Sequence, residues 1–190
     1  DEVLRGQSRL RANLPNAANL FAWPYGEDAP ELYDAVLDVV EFGFVQRSGA
    51  VGRDTPLAAL PRFPMATGQD SLERLEMALR ARAMPVLTAE TVPPRKRAIV
   101  SDPERLELRL DASDGFDPAT VSCFRSSGDR LSVERSGKSD EVVVIDLAGV
   151  GTAGRNKVNC TAPAGDGSGD HYWFSFQWLQ PDADGGWPAE

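Results

Sequence analysis

The hydrophobic period of this chain changes at one segment, and this change constrains the fold more than any other feature. Before residues 91–97, stripes of apolar residues at helical spacing alternate with short apolar runs, whereas after them apolar and polar residues alternate in short runs. The segment itself holds two prolines and three cations, a composition typical of an extended, solvated connector. We therefore predict an α/β region over residues 1–95, an all-β region over 96–180 and a weakly ordered tail over 181–190.

The first region predicts helices that alternate with strands. Residues 1–14 have apolar side chains at helical spacing and predict an amphipathic helix. A second helix is predicted from a capping box at Asp28 to a stop at Gly43, and a third from a cap at Asp70 to a stop at Pro85. The apolar face of the third helix consists of Leu72, Leu75 and Leu79. This alternation is the order that a segment of a β/α barrel needs.

The most specific motif in this region is a Pro-Tyr-Gly turn. The apolar run at residues 19–23 predicts a short buried strand, after which Pro24 fixes φ and Gly26 permits a sharp turn. In α/β folds, binding and catalytic sites are built at the C-terminal ends of strands. The turn is therefore a candidate site, although a strand-to-helix turn with Tyr25 as an aromatic plug would have the same sequence.

The residues around this turn resemble the polysaccharide deacetylases, a family of metal-dependent carbohydrate esterases with an irregular (β/α) barrel fold. The resemblance lies in Phe21-Ala22-Trp23-Pro24-Tyr25-Gly26-Glu27, followed by Pro30-Glu31-Leu32, and in residues 46–52 and 60–65. It implies that residues 1–95 form the C-terminal part of such a barrel, in a protein that removes acetyl groups from an acetylated polysaccharide. It also implies that the backbone N–H of Tyr25 binds the oxyanion of the tetrahedral intermediate.

The chain departs from that family at the residues that carry the chemistry. The family's Asp-Asp and His-x-x-x-His motifs, which supply the base and the metal ligands, have no counterpart here, and neither has its late Leu-x-His motif. Ala22 occupies a position where many members carry arginine. The resemblance therefore implies that a divalent metal, expected to be zinc, is held by an upstream half of the protein, joined covalently or as a second chain. We expect this chain alone to lack metal ligands and activity.

A second hypothesis belongs to a different class of protein. The missing motifs and Ala22 also suit a non-catalytic glycan-binding or assembly protein that keeps the barrel shell without its chemistry. Whether the whole protein is a hydrolase therefore stays open.

Four residues form the predicted site. Tyr25 has the catalytic role implied by the resemblance, and Trp23, Glu27 and Arg62 are predicted to contact the substrate. The planar, permanently charged guanidinium of Arg62 suits a carboxylate or a sugar hydroxyl, and a surface ion pair is the alternative. Asp28 is interpreted as a helix N-cap.

The second region predicts a small antiparallel β-sandwich that is loosely immunoglobulin-like. Its short alternating runs are separated by Gly, Asp, Ser and Pro. Cys123 and Cys160 lie on two of these runs, and a disulfide between them could connect the two sheets. Disulfides persist in the periplasm and outside the cell, which predicts a periplasmic or secreted protein. Two buried free thiols in a cytosolic protein are the alternative.

Three further features of this region are candidate sites. The segment 172–178 predicts a strand whose even-numbered aromatic residues face the core, while Trp173 on the other face is either a packing residue or a sugar-stacking platform. His171 is the single histidine and is interpreted as a surface hairpin residue. The acidic loop 166–170 lacks the ligand spacing of a calcium loop and is interpreted as a flexible turn.

Charge and hydropathy limit the partners. The formal net charge is −9, which disfavours nucleic acids and anionic membranes, whereas a neutral or cationic glycan is compatible with it. No apolar run approaches the roughly 18 residues that a membrane span needs.

Overall fold

A computed structural model of the protein describes residues 1–68, 70–94, 98–112, 115–137 and 141–187. The helices are α1 (Glu2–Asn13), α2 (Tyr33–Leu37) and α3 (Leu72–Leu79). The strands are β1 (Leu20–Ala22), β2 (Phe42–Phe44), β3 (Ala81–Ala83), β4 (Val86–Val92), β5 (Arg105–Leu110), β6 (Ser122–Arg125), β7 (Val133–Ser136), β8 (Val142–Asp146), β9 (Gly154–Pro163) and β10 (His171–Gln180). Short 3-10 turns occupy Pro24–Gly26, Pro30–Leu32, Leu57–Ala59 and Pro118–Thr120.

Residues 81–180 form a sandwich of two four-stranded sheets, with strand orders β3-β10-β9-β6 and β4-β5-β8-β7. All pairs in these sheets are antiparallel except β3 with β10, which run parallel. Period-two alternation directs one face of each strand into a shared core, as in β5, where Leu106, Leu108 and Leu110 are buried. The predicted antiparallel sandwich is therefore confirmed, and the even-numbered aromatic residues of β10 face its core as predicted.

The predicted disulfide is present. Cys123 and Cys160 lie opposite one another on β6 and β9, with a Cα–Cα distance of 4.1 Å, and both are fully buried. The prediction that the bond could connect the two sheets is wrong, because β6 and β9 are neighbours in a single sheet. Such a bond is typical of extracytoplasmic proteins, so the structure supports a location outside the cytoplasm.

Residues 1–79, called here the N-terminal unit, contain little regular sheet. β1 pairs with β2 in parallel over three residues, and one further parallel bridge joins Phe44 to Leu60. One side chain of α1 contacts the open edge of β1: Gln7 Nε2 donates to Leu20 O at 2.7 Å. The α/β character of this region is confirmed, but the described residues form no closed barrel.

Two helix boundaries in the N-terminal unit differ from the sequence prediction. Gly43 does not end α2 but lies within β2, where an added Cβ would be 2.2 Å from Ala58 O, so only glycine permits this close approach. The cap of α3 is Ser71, whose Oγ accepts from Arg74 N at 3.2 Å, and not the preceding Asp70. Serine is as good an N-cap as aspartate, so the spacing alone could not separate them.

The third helix also differs from the prediction in what its apolar face does. Leu72 and Leu79 are 80% and 77% exposed, and Leu75 is 43% exposed. The helix therefore forms without burying the leucine stripe that predicted it.

The predicted domain division at residue 95 stays a prediction. β3 and β4 precede that residue, yet they pair with β10 and β5 of the sandwich. Residues 95–97 of the predicted connector and residues 188–190 of the predicted tail lie outside the described residues. None of the helices formed by the described residues combines the length and the apolar character that a membrane span requires.

Candidate ligand-binding cleft

A cleft of about 460 Å³ separates the N-terminal unit from the sandwich. It is lined by Pro30 and Tyr33, by most of the loop at 47–56, by residues 83–89 and by residues 173–176 of β10. Because the register of β10 places Trp173 and Ser175 opposite Thr161 and Asn159 of β9, these side chains lie on the sheet face that is turned away from the sandwich core.

Trp173 is held in a fixed orientation at this cleft. Its indole Nε1 donates to Ser175 Oγ at 3.0 Å, and Ser175 Oγ donates to Asn159 Oδ1 at 2.7 Å. Phe63 packs edge-on against the indole ring, with 5.3 Å between the ring centroids. The half-buried ring therefore presents a preorganised apolar surface to the cleft.

The opposite wall contains a buried ionic cluster. Asp28 is 4% exposed and accepts hydrogen bonds from Arg47 Nη1 and from the Tyr33 hydroxyl. Burial, and then the Asp28 carboxylate, raise the pKa of Tyr33, so this hydroxyl stays protonated as a donor. The interpretation of Asp28 as a helix N-cap is wrong, since no side-chain cap is formed at Pro30–Leu32 or α2.

The cleft carries no net charge. The Arg47 guanidinium is balanced by Asp28, and the two other charged residues of the lining, Arg53 and Asp54, have opposite signs. The Arg47 guanidinium has more N–H donors than its contacts with Asp28 and the Tyr33 hydroxyl can occupy, so N–H groups remain for a ligand. An uncharged, polar ligand with an apolar face suits these walls.

The structure brings together only part of the site predicted from sequence. Tyr25 is 59% exposed, and Arg155 joins it to Glu27: the guanidinium lies 5.8 Å from the Tyr25 ring centroid and donates to Glu27 Oε1 at 3.0 Å. Trp23 is instead a core residue, 8% exposed, whose Nε1 donates to Ala58 O at 2.7 Å.

Arg62, the last of the four predicted residues, anchors the backbone. Its Nε donates to Val45 O at 3.0 Å, and its backbone N donates to Arg47 O at the same distance. Both contacts are to backbone carbonyl oxygens, and Arg62 forms no salt bridge among the described residues. None of Tyr25, Trp23, Glu27 and Arg62 lines the cleft, and their ligand contacts stay predictions.

Two other candidates have structural partners. Arg82 binds Asp166 and Asp170 at 2.9 and 2.6 Å, so the acidic loop is tied to β3 rather than left as a free turn. His171 is half-buried and its pKa is lowered by burial, although Asp170 acts in the opposite direction. The described residues contain no group of three or more His, Cys, Asp and Glu that could hold a metal ion.

Sequence reasoning missed Asp28, Arg47 and Tyr33 as a unit. Arg47 stood inside a segment singled out for its resemblance, but its partner lies 19 residues earlier in the chain. An Asp–Arg pair at that separation produces no recognisable pattern in the sequence. The spacing of Asp28 and Glu31 instead indicates a helix cap.

Comparison with known proteins finds similarity only among solved structures. No family model matches the chain, and no curated protein matches it. Among solved structures, the chain is similar to CopC from Methylosinus trichosporium OB3b, at 18% identity and a TM-score of 0.35, over 52% of this chain and 95% of that one. This similarity is too low to carry any argument about the site.

The assignment to the polysaccharide deacetylases is wrong on these findings. No family model matches the chain, and the described residues close no barrel. The zinc and the oxyanion role of Tyr25 were implied only by that resemblance. The described residues contain no group of side chains that could hold this metal.

Proposed function

We propose that this chain is a non-catalytic glycan-binding protein of the periplasm or the extracellular space, and that the cleft is its binding site. The observation that carries the proposal is the pairing of a fixed indole, Trp173, with a charge-balanced donor wall built on Arg47 and Asp28. Sugars have apolar ring faces and hydroxyl edges, which match an aromatic surface and fixed hydrogen-bonding groups.

The charges favour a neutral glycan. The cleft itself is balanced, and the whole chain carries a net charge of −9, which repels polyanionic glycans at a distance. A fixed, ion-paired arginine still donates N–H groups, and these suit hydroxyl or amide oxygens.

The lining supports binding rather than turnover. The described residues that line the cleft include no histidine or cysteine, and Asp54 is their one carboxylate, since Asp28 is buried behind the lining and is held by Arg47 and Tyr33. General acid–base or nucleophilic catalysis needs paired groups within hydrogen-bond reach, and this set does not provide them.

Isothermal titration calorimetry tests the proposal. The purified chain is titrated with oligomers of glucose, of N-acetylglucosamine and of cationic glucosamine. We expect binding of a neutral series, and a loss of affinity of about fivefold in Trp173→Ala. Trp187→Ala is the matched control, because Trp187 is 54% exposed and does not line the cleft. The proposal fails if no series binds, or if both tryptophan variants lose affinity equally.

A further inference from the structure

The Pro-Tyr-Gly turn holds an aromatic side chain outward at the cost of backbone strain. Tyr25 has φ +55°, a left-handed conformation that side chains with a Cβ rarely adopt. The ring is 59% exposed, so its burial does not offset that strain. Strained residues that persist in this way are found disproportionately at binding sites.

The turn packs closely against Gln46, which precedes the cleft loop at 47–56. Gly26 follows at φ +73°, and an added Cβ there would lie 2.5 Å from Gln46 N. Three residues after Gln46, Gly49 lies beside Trp173: a Cβ added at Gly49 would be 3.8 Å from the indole Cδ1. A span of three residues reaches at most about 11 Å, so the turn lies close to one end of the cleft.

The sandwich contacts the exposed ring through Arg155 of β9. Arg155 lies over the Tyr25 ring and is ion-paired with Glu27 at 3.0 Å. The pair is charge-balanced, as the Arg47–Asp28 pair is. The Tyr25 turn and the cleft therefore share two features. Each combines an aromatic ring with an ion pair that carries no net charge.

We propose that Tyr25 is an outlying subsite at which a sugar ring of a longer neutral glycan stacks when the glycan also occupies the cleft. Arg155 and Glu27 orient the tyrosine and bond to hydroxyls at the ring edge. This inference rests on the proposed function, and it adds a preference for oligomers over single sugars.

The test is the dependence of affinity on chain length. N-acetylglucosamine oligomers of one to six units are titrated into the wild type, Tyr25→Gly and Tyr25→Phe. Glycine removes the ring and adopts the same backbone conformation without strain, so this variant keeps the turn. Phenylalanine retains the stacking surface.

We expect Tyr25→Gly to lose about fivefold in affinity for the hexamer and nothing for the single sugar, and Tyr25→Phe to bind both as the wild type does. An unchanged hexamer affinity in Tyr25→Gly would overturn the subsite while leaving the cleft proposal intact. An equal loss at every chain length would also overturn it, because Tyr25 would then act through the fold. Absence of binding to the wild type by every oligomer series would overturn both proposals.

Discussion

The sandwich and the N-terminal unit bury their apolar side chains to very different extents. Among the described residues, sixteen are buried in the sandwich core, whereas the N-terminal unit has a cluster of five. Of the fifteen large apolar side chains that are exposed among the described residues, twelve belong to residues 1–79. The cleft therefore has one wall on a rigid sheet and the other on a unit with a small core of its own, and such units open at lower free energy.

The largest expected effect concerns the disulfide of the sandwich. The two cysteines are 37 residues apart, and in Cys123→Ala/Cys160→Ala no bond closes the loop between them in the unfolded chain. The chain-entropy model gives a loss of about 3 to 4 kcal/mol in the free energy of unfolding. Urea denaturation measures this loss. A midpoint equal to that of the wild type would show that the bond does not stabilise the fold.

The second prediction compares one leucine from each region. Leu108 in β5 is fully buried, and Leu108→Ala should cost about 3 kcal/mol through lost burial and a cavity. The matched Leu72→Ala in α3, where the side chain is 80% exposed, should change stability by less than about 0.5 kcal/mol. Thermal and urea unfolding of both variants check this. A large effect of Leu72→Ala would mean that the helix face is covered in solution.

A smaller, stabilising effect is expected inside the sandwich core. Thr91 is 1% exposed and its Oγ1 has no hydrogen-bond partner among the described residues. Thr91→Val removes this buried polar atom with little change of shape and should raise the free energy of unfolding by about 1 kcal/mol. Thr88→Val, at an exposed position of the same strand, is the control. A destabilised Thr91→Val would show that the hydroxyl is hydrogen-bonded.

The smallest effect is the pH dependence of the link between β3 and the acidic loop. Hydrogen bonds from Ser168, and then Arg82, lower the pKa of Asp166 from 3.8 to about 2. Because the folded pKa lies below the unfolded one, the stabilisation is complete above about pH 4 and is lost as the pH falls towards 2. Asp166→Asn should flatten the acid limb of stability against pH slightly, since the group is exposed. Identical acid limbs would contradict the assignment.

The sequence predicted the sandwich well because alternation and turn residues are local signals. The pairing of Cys123 with Cys160 followed from the two strand-like runs that carry them. Residues 1–79 were harder, because the leucine stripe of α3 indicates a buried face wherever it occurs, and the Pro-Tyr-Gly motif matched a family whose fold this chain does not show.

The cleft could not be predicted from the sequence. Its walls come from segments more than 100 residues apart, and the pair that fixes its charge, Asp28 with Arg47, forms through tertiary packing. Trp173 was recognised as a possible stacking residue, but Phe63 and Ser175, which orient it, had no signal.

Mapping the bound glycan by NMR tests the central claim most directly. In a titration of the ¹⁵N-labelled chain with N-acetylglucosamine hexamer, we predict shifts at the Trp173 indole and at the amides of residues 47–55, 83–84 and 86–88. The amide of Tyr25 should shift with the hexamer and not with the single sugar, while the strands β7 and β8 on the far sheet stay unchanged. Shifts confined to β7 and β8, or no shifts at all, would contradict the account.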